Sequence, residues 1–589
     1  MKEFFKYVLA TVVGILAVTA FAGFMSLVML ASIVLSGNSK PVVKDGSVLR
    51  ISLSGQIAER VVDNPFQKLM GNKALQQQGL EDMLKAISVA QTKDEVKGIY
   101  LEAGAMAADF AALEELRKAL QEFKKQSGKF VVAYGDIYTQ GAYYVASVAD
   151  KIYLNQTGMI DWHGIASQPI FYKDLLDKVG VKMQVFRVGT YKSFVEPYVL
   201  TQMSDANRQQ TQSFIDDIWG VITRDVAASR KVKADSLNAY ADRYTIFTDT
   251  KNYVKYRLVD SLTYADGLRD QLRALSGQDQ VNFVEPAVLA QLETPKSSDN
   301  EVAVYYAEGG IVDEASRSPL GSGESEIVGS KVVRDLDALA NDEAVKAVVL
   351  RINSGGGSAF ASEQMWRAIQ LLKKKKPVVV SMGGMAASGG YYMSCGANQI
   401  FAEQTTLTGS IGIFGMVPDA SGLLTDKLGL HFDVVKTNQA SDFGAMGRPF
   451  YPAESAAMQA YVDRGYKLFL QRVAAGRGMK VEEVDRIAQG RVWTGQQALK
   501  HKLVDQLGTL DEAIKAAAKL AKVTDYATTT YPGKPSWMDQ LMDVTAGDDY
   551  LESKLRTTLG VYYEPLRFVS TQSAYPILQA RIFFEPNLK

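Results

Sequence analysis

The stretch Gly141-Ala142-Tyr143-Tyr144, running on to Gly164-Ile165, recurs as Gly389-Gly390-Tyr391-Tyr392, running on to Gly412-Ile413. The recurrence extends further. Val96-Lys97-Gly98-Ile99-Tyr100-Leu101 is matched by Val345-Lys346-Ala347-Val348-Val349-Leu350, and Asp177-Lys178-Val179-Gly180-Val181 by Asp426-Lys427-Leu428-Gly429-Leu430. The offset stays at about 248 to 249 residues, a period that means two duplicated domains and not a solenoid of small units. Chance likeness between α/β segments would not keep one offset over separate blocks.

Laid together, the copies differ where chemistry is at stake. Ser410 of the second copy falls on Trp162 of the first, and Lys192 of the first falls on Ser441 of the second. One copy keeps a candidate nucleophile and the other a candidate base. A serine–lysine hydrolase needs one of each, in contact.

Outward from these blocks the pattern is strand, helix, strand. Val48 to Leu53 alternates as a strand, Gly98 to Leu101 and Phe130 to Tyr134 read as buried strands, and 75–90 and 110–125 read as amphipathic helices. Such alternation predicts βαβ units and a largely parallel sheet. Residues 203–245 are polar and mainly helical. Pro295 to Asn300 is a polar break, so an N-terminal repeat is placed at 45–295 and a C-terminal repeat at 301–540, with 541–589 as an extension. The second copy starts afresh with strands at Val302 to Tyr306, Lys346 to Ile352 and Pro377 to Met382, and a helix over 361–375. The tail from Val561 is rich in aromatics and matches nothing in the repeats.

Bulk composition narrows the function. With 589 residues and 47% hydrophobic content the chain has length and apolar mass for two domains or more. Lys plus Arg and Asp plus Glu both number 65, so no electrostatic case for nucleic acid arises. A single cysteine, Cys395, excludes an internal disulfide framework. Three histidines and that one cysteine make a zinc site a poor expectation, and no cofactor is called for.

Tyr7 to Ser36 carries no charged residue and follows Lys2 and Lys6. About 20 apolar residues span a bilayer, so residues 1–44 are read as a cytoplasmic start, an uncleaved transmembrane helix and a linker. The basic start keeps the N-terminus in the cytoplasm, although Lys40 and Lys44 beyond the run weaken that bias.

Three segments carry the chemistry. Thr408-Gly409-Ser410-Ile411-Gly412 flanks a serine with glycines that permit close backbone approach. Read blandly, it is a Gly-Ser turn. Ser354-Gly355-Gly356-Gly357-Ser358 lies between a strand and a helix, where free N–H groups of the loop could face a developing oxyanion. A phosphate loop or simple turn is the alternative, and no G-x-G-x-x-G fingerprint sits there. The first copy has Glu102-Ala103-Gly104-Ala105-Met106 in its place. Lys192 lies in Tyr191-Lys192-Ser193-Phe194-Val195-Glu196-Pro197-Tyr198. An ordinary lysine is a surface cation. Holding its amine neutral at pH 7 costs roughly 4 kcal/mol, through burial or a nearby positive charge. Tyr191, Phe194 and Tyr198 are expected to supply the burial, and Glu196 to point away. A Ser-His-Asp triad would have to draw on His163 or His431, and no Asp partner stands out.

On these residues the chain resembles the signal peptide peptidase A (protease IV) family in its long form with two tandem repeats. The likeness rests on Tyr191 to Pro197, Asn353 to Ser358 and Thr408 to Gly415, and runs from the N-terminal apolar segment to about residue 540. The resemblance implies a crotonase- or ClpP-like α/β fold in each repeat, and a dyad of Ser410 as nucleophile and Lys192 as general base. It implies cleavage of residual signal peptides and other apolar peptides, a single-pass inner-membrane anchor, a periplasmic body and a homotetramer. The mechanism it implies holds the oxyanion on the N–H groups of Gly356 or Gly357 and of Ile411, and Ser441 is expected to orient Lys192. One departure stands out: the family loop reads Asn-Ser-Pro-Gly-Gly-Ser, and here Gly355 takes the proline position, which loosens the turn. Two other readings compete: a catalytically silent membrane scaffold, and a crotonase-like acyl-CoA enzyme using the same N–H pair on a thioester.

Overall fold

The computed structural model describes residues 42–61, 77–293, 297–315, 325–534 and 578–581, with isolated positions before residue 22. The expected transmembrane helix and most of the C-terminal extension lie outside the described residues. Among those described, no helix is long and apolar enough to cross a membrane.

In the first copy the strands are β1 (Ser47–Ala58), β2 (Gln77–Gly79), β3 (Val96–Ala107), β4 (Phe130–Tyr138), β5 (Lys151–Ile160), β6 (Lys182–Arg187), β7 (Ser261–Leu262) and β8 (Asn282–Val284). All but β6 form one parallel sheet, ordered β2-β1-β3-β4-β5-β7 with β8 on β1. The strands expected at 48–53, 98–101 and 130–134 are its centre. In β1, Leu49, Ile51 and Leu53 enter the main core while Val48 faces a smaller cluster on the other side, as the period of two requires. The helices Leu80–Thr92 and Phe110–Ser127 cover the sheet with their apolar faces.

The second copy repeats the plan with β9 (Glu301–Glu308), β10 (Gly310–Val312), β11 (Glu326–Val328), β12 (Val345–Ser354), β13 (Gly356–Ser358), β14 (Val378–Ala387), β15 (Gln399–Ala402), β16 (Leu407–Gly409), β17 (Phe414–Asp419), β18 (Val492–Thr494), β19 (Gln506–Leu507) and β20 (Ala527–Tyr531). Its sheet runs β18-β16-β14-β12-β9-β20, with β15 between β14 and β19. A third, mixed sheet joins the copies. Its order is β11-β10-β13-β21-β17-β6, where β21 is Leu578–Arg581. β6 of the first copy pairs antiparallel with β17 of the second, from Arg187 opposite Phe414 to Lys182 opposite Asp419.

The copies also meet through buried polar groups. Arg351, on β12 and 2% exposed, donates from Nε and Nη2 to both oxygens of Glu59 at 2.9 Å, to Glu115 at 2.7 Å and to Ser381 at 3.0 Å. Asn353 donates to Asp109 at 2.9 Å and accepts from Met385 N. Glu114 accepts from the backbone N–H and hydroxyl of Thr405. Each acid comes from the first copy and each partner from the second.

The place of Ser410 in the first copy is filled. Trp162 is fully buried, donates its indole N–H to Leu237 O at 2.9 Å, and packs on Tyr143 and Trp219. The serine was replaced by core, which leaves no room for a second site there.

Replacing Arg351 with alanine strands two buried carboxylates and should cost about 3–5 kcal/mol, read as a lower urea midpoint. Adding Glu59→Gln and Glu115→Gln to that variant should recover part of the loss, because the stranded charges are then removed.

Candidate active site

Lys192 follows β6 and a turn at Gly189, and stands just before a short helical turn, Ser193–Val195. It is 1% exposed. Its Nζ lies 3.0 Å from Ser410 Oγ, 2.7 Å from Ser388 Oγ and 3.1 Å from Ser410 O. A neutral amine has two N–H groups and one lone pair. Three neighbours match that inventory: two oxygens accept, and the Ser410 hydroxyl can donate to the lone pair. Burial alone holds the amine well below the usual lysine range.

No carboxylate interferes. Glu196, four residues on, turns away and accepts from Ser204 N, Ser204 Oγ and Asn207 Nδ2, at 3.1, 2.6 and 3.0 Å. Phe194 stacks on Phe414 and lies beside Tyr198, so two of the three expected aromatics wall the site.

Ser410 sits at φ +47°, a left-handed conformation uncommon for a residue with a Cβ. Its N–H donates to Arg491 O at 2.7 Å. The same strap, 489–491, receives Tyr191 N on Gln489 O at 2.8 Å, and Gly490 N donates to Ile411 O at 2.9 Å. One short segment thereby clamps both halves of the pair. Gly490 and Gly412 make this fit. A Cβ on Gly490 would lie 2.6–2.7 Å from the Lys192 backbone and Cβ, and one on Gly412 would press on Lys192 Cδ at 3.2 Å.

Of the site residues expected from sequence, Lys192, Ser410 and Ile411 come together. Ser441 does not join them. It is exposed, in a turn where its hydroxyl accepts from Asn438 N. The repeat alignment placed it opposite Lys192, but the second copy has no strand after 430 corresponding to β6, so nothing carries Ser441 inward. Lys192 is held by Ser388 instead, at φ +54° with its N–H on Gly409 O. A signal existed: Ser388 precedes Gly389-Gly390-Tyr391-Tyr392, where the first copy has Gln140.

The glycine loop also differs from expectation. Gly356 to Ser358 is strand β13, paired with β10 and β21, and Gly356 N donates to Ser354 Oγ at 3.1 Å. His163 pairs with Asp161 at 2.7 Å in a half-exposed position, and His431 is exposed. Neither hydrogen-bonds a serine in the described residues. No group of ligating side chains able to hold a metal occurs there either.

A buried lysine whose pKa is depressed, against a serine hydroxyl on an α/β fold of two repeats, belongs to serine peptidase chemistry. Comparison with known proteins agrees. The description "Peptidase family S49" matches residues 123–279 and again 370–524, and "Clp protease" matches 319–406. Protease 4 of Salmonella typhi is 36% identical over 530 residues, covering 87% of this chain and 84% of that protein. Protease 4 of Haemophilus influenzae is 35% identical, over 85% and 83%. The chloroplastic serine protease SPPA of Arabidopsis thaliana is 29% identical, over 82% and 70%. The chain belongs to peptidase family S49, in the long two-repeat form of signal peptide peptidase A, and its second repeat carries the match to Clp protease.

Lys192→Met should raise stability at pH 7 while abolishing peptide cleavage. The lysine's folded pKa lies below its unfolded value, so the unfolded chain binds the extra proton and folding weakens as pH falls between the two. The methionine variant's gain in urea midpoint should therefore shrink as pH rises and vanish above about 10.4. Ser388→Ala should lower kcat by about tenfold or more and move the ascending acid limb of the pH profile, with Ser388→Thr restoring part of both. Loss of activity with an unmoved limb would make Ser388 merely structural.

Proposed function

We propose that this protein is a membrane-anchored endopeptidase that degrades cleaved signal peptides and other apolar peptides, with Ser410 as nucleophile and Lys192 as general base. The observation that carries the reading is the 3.0 Å contact between a buried amine and the serine hydroxyl. Lys192 takes the proton of Ser410 Oγ as the oxygen attacks a peptide carbonyl. The oxyanion is met by the N–H of Ile411 and by that of Gly356 or Gly357 in β13. Lys192 then protonates the leaving amine, and later activates the water that releases the acyl group.

The anchor is the uncharged run from Tyr7 to Ser36, which is long enough to cross a bilayer. With Lys2 and Lys6 retained inside, the body faces the periplasm and can meet peptides left in the inner membrane. The repeats also support a homo-oligomer. β6 pairs onto β17 within the chain. The counterpart of β6 in the second copy, around 430–436, is exposed, with Leu430, Phe432 and Val434 at 47%, 45% and 49%. The counterpart of β17 in the first copy, around 166–171, is unpaired coil. Joining these two between neighbours repeats the internal joint head to tail, and such contacts close into rings. A tetramer is the ring we assign.

A fluorophosphonate probe tests the chemistry. Labelling of the native chain should vanish in Ser410→Ala, and peptide cleavage in Lys192→Met. The kcat/KM profile should rise with pH and reach its plateau well below 10.4, because the group that must lose its proton is a depressed lysine. A limb near 10.4, or labelling that survives Ser410→Ala, would sink the assignment. Removal of residues 1–44 should release the protein from membranes.

A further inference from the structure

Gln210 stands in the second turn of the helix Asp205–Arg230 of the first copy and is 2% exposed. Its side-chain amide has a donor end and an acceptor end, and both are used. Nε2 donates to Tyr191 O at 3.0 Å and to Ser193 Oγ at 3.1 Å. Oε1 accepts from Val492 N at 3.2 Å. Tyr191 and Ser193 flank Lys192, and Val492 opens β18 in the second copy. A further contact from Nε2, to Asn207 Oδ1 at 3.2 Å, reaches the residue that holds Glu196.

These contacts form a line of amides. The Tyr191 carbonyl belongs to the peptide unit that enters Lys192. The Val492 N–H shares its peptide unit with the Arg491 carbonyl, and that carbonyl takes Ser410 N–H at 2.7 Å. Each amide gives at one end and takes at the other, so the three hydrogen bonds polarise one another in one direction. Ser410 O in turn accepts from Lys192 Nζ at 3.1 Å, which closes the circuit. Neither a carboxylate nor a hydrocarbon can take the amide's place. The first would set an acceptor against Tyr191 O, and the second would leave a buried carbonyl and N–H unmet. Two turns along, the same helix meets the second copy in another way. Asp217, seven residues on and hence on the same face, accepts from Thr494 Oγ1 and from Gln496 Nε2. That contact joins the copies without touching either loop of the dyad.

We propose that Gln210 is a positioning residue for the dyad: its amide sets the backbone of Lys192 against that of Ser410, so that the amine meets the hydroxyl within hydrogen-bonding range. This rests on the dyad reading above. The side chain is enclosed, so it meets no substrate and acts through its two neighbouring loops alone. Removing the amide loosens those loops without parting them. Tyr191 N stays on Gln489 O, and the Arg491 guanidinium stays on the rings of Tyr191 and Trp493, at 4.9 and 4.3 Å. Loosening is enough, because a misplacement of about 1 Å at reacting groups costs on the order of a hundredfold in rate.

The test compares Gln210→Met, Gln210→Glu and Asp217→Ala in the full-length chain, by peptide turnover, by the rate of fluorophosphonate labelling of Ser410 and by urea midpoint. Each kcat is read on the plateau of its own pH profile, which removes any shift in the Lys192 pKa from the comparison. Both Gln210 variants should lose about tenfold or more in kcat and in labelling rate, with KM within about twofold of native. The glutamate keeps an oxygen for Val492 N and lacks the hydrogens due to Tyr191 O. It therefore isolates the donor end, and it carries the test if the methionine variant folds poorly. Asp217→Ala should lower the urea midpoint and leave kcat and labelling within about twofold of native. Native kcat in Gln210→Glu, or a rise in KM in place of a fall in kcat, overturns the proposal. So does an equal loss in Asp217→Ala, which would make Gln210 one more tie in the joint. Failure of the dyad reading shows separately, as a native chain whose Ser410 is not labelled at all.

Discussion

The structure turns on one uncompensated amine. Lys192 is buried with two serines and a carbonyl for company, and among the described residues no carboxylate offsets its desolvation. An ion pair there would stabilise the charged form and remove the base. The surroundings are arranged to prevent that. Glu196 is held by Ser204 and Asn207, and the backbone and stem of Lys192 are packed against Gly490 and Gly412, where a side chain would push the lysine out of place. Such a site weakens the fold locally and must be held by what surrounds it.

What surrounds it is the joint between the copies. The base sits beyond β6 of the first copy and the hydroxyl just before β17 of the second, and the two strands are paired. Strap 489–491 ties both loops from a third direction. Farther away, Arg351 with Glu59 and Glu115 fixes the copies against each other through a fully enclosed charge cluster. A buried ion cluster of this kind adds little net stability over apolar packing. It does penalise any relative slip of the two copies, since slip would strand a charge. The dyad needs that registry, because a hydrogen bond over 3.0 Å fails with small displacements.

Much of this was legible in sequence. The strands at 48–53, 98–101 and 130–134 and the helix at 110–125 were visible because periodicity and burial coincide there. The complementary loss of serine at Trp162 and of lysine at Ser441 pointed to one composite site. Three things were hidden. Ser388 escaped because the alignment directed attention to Ser441, and a residue that hydrogen-bonds from a left-handed turn leaves no periodic trace. The glycine segment read as an open loop, since three glycines carry no strand propensity; β13 exists because β10 and β21 pair with it. And β21 lies more than 160 residues from either of its partners, a distance over which local pattern has nothing to say.

These hidden elements share a cause. Ser388 and Ser410 both adopt positive φ, and Gly409, the last residue of β16, does so as well. The backbone there is bent to bring Ser388 Oγ, Ser410 Oγ and Ser410 O onto one amine, which regular strand geometry cannot do, since successive side chains point to opposite faces. The first copy, freed from that demand, filled the same position with Trp162 and regained an ordinary core. Duplication thus let one copy relax while the other kept its strained turn, and the relaxed copy kept the lysine that the strained one had lost. Neither copy can now serve without the other.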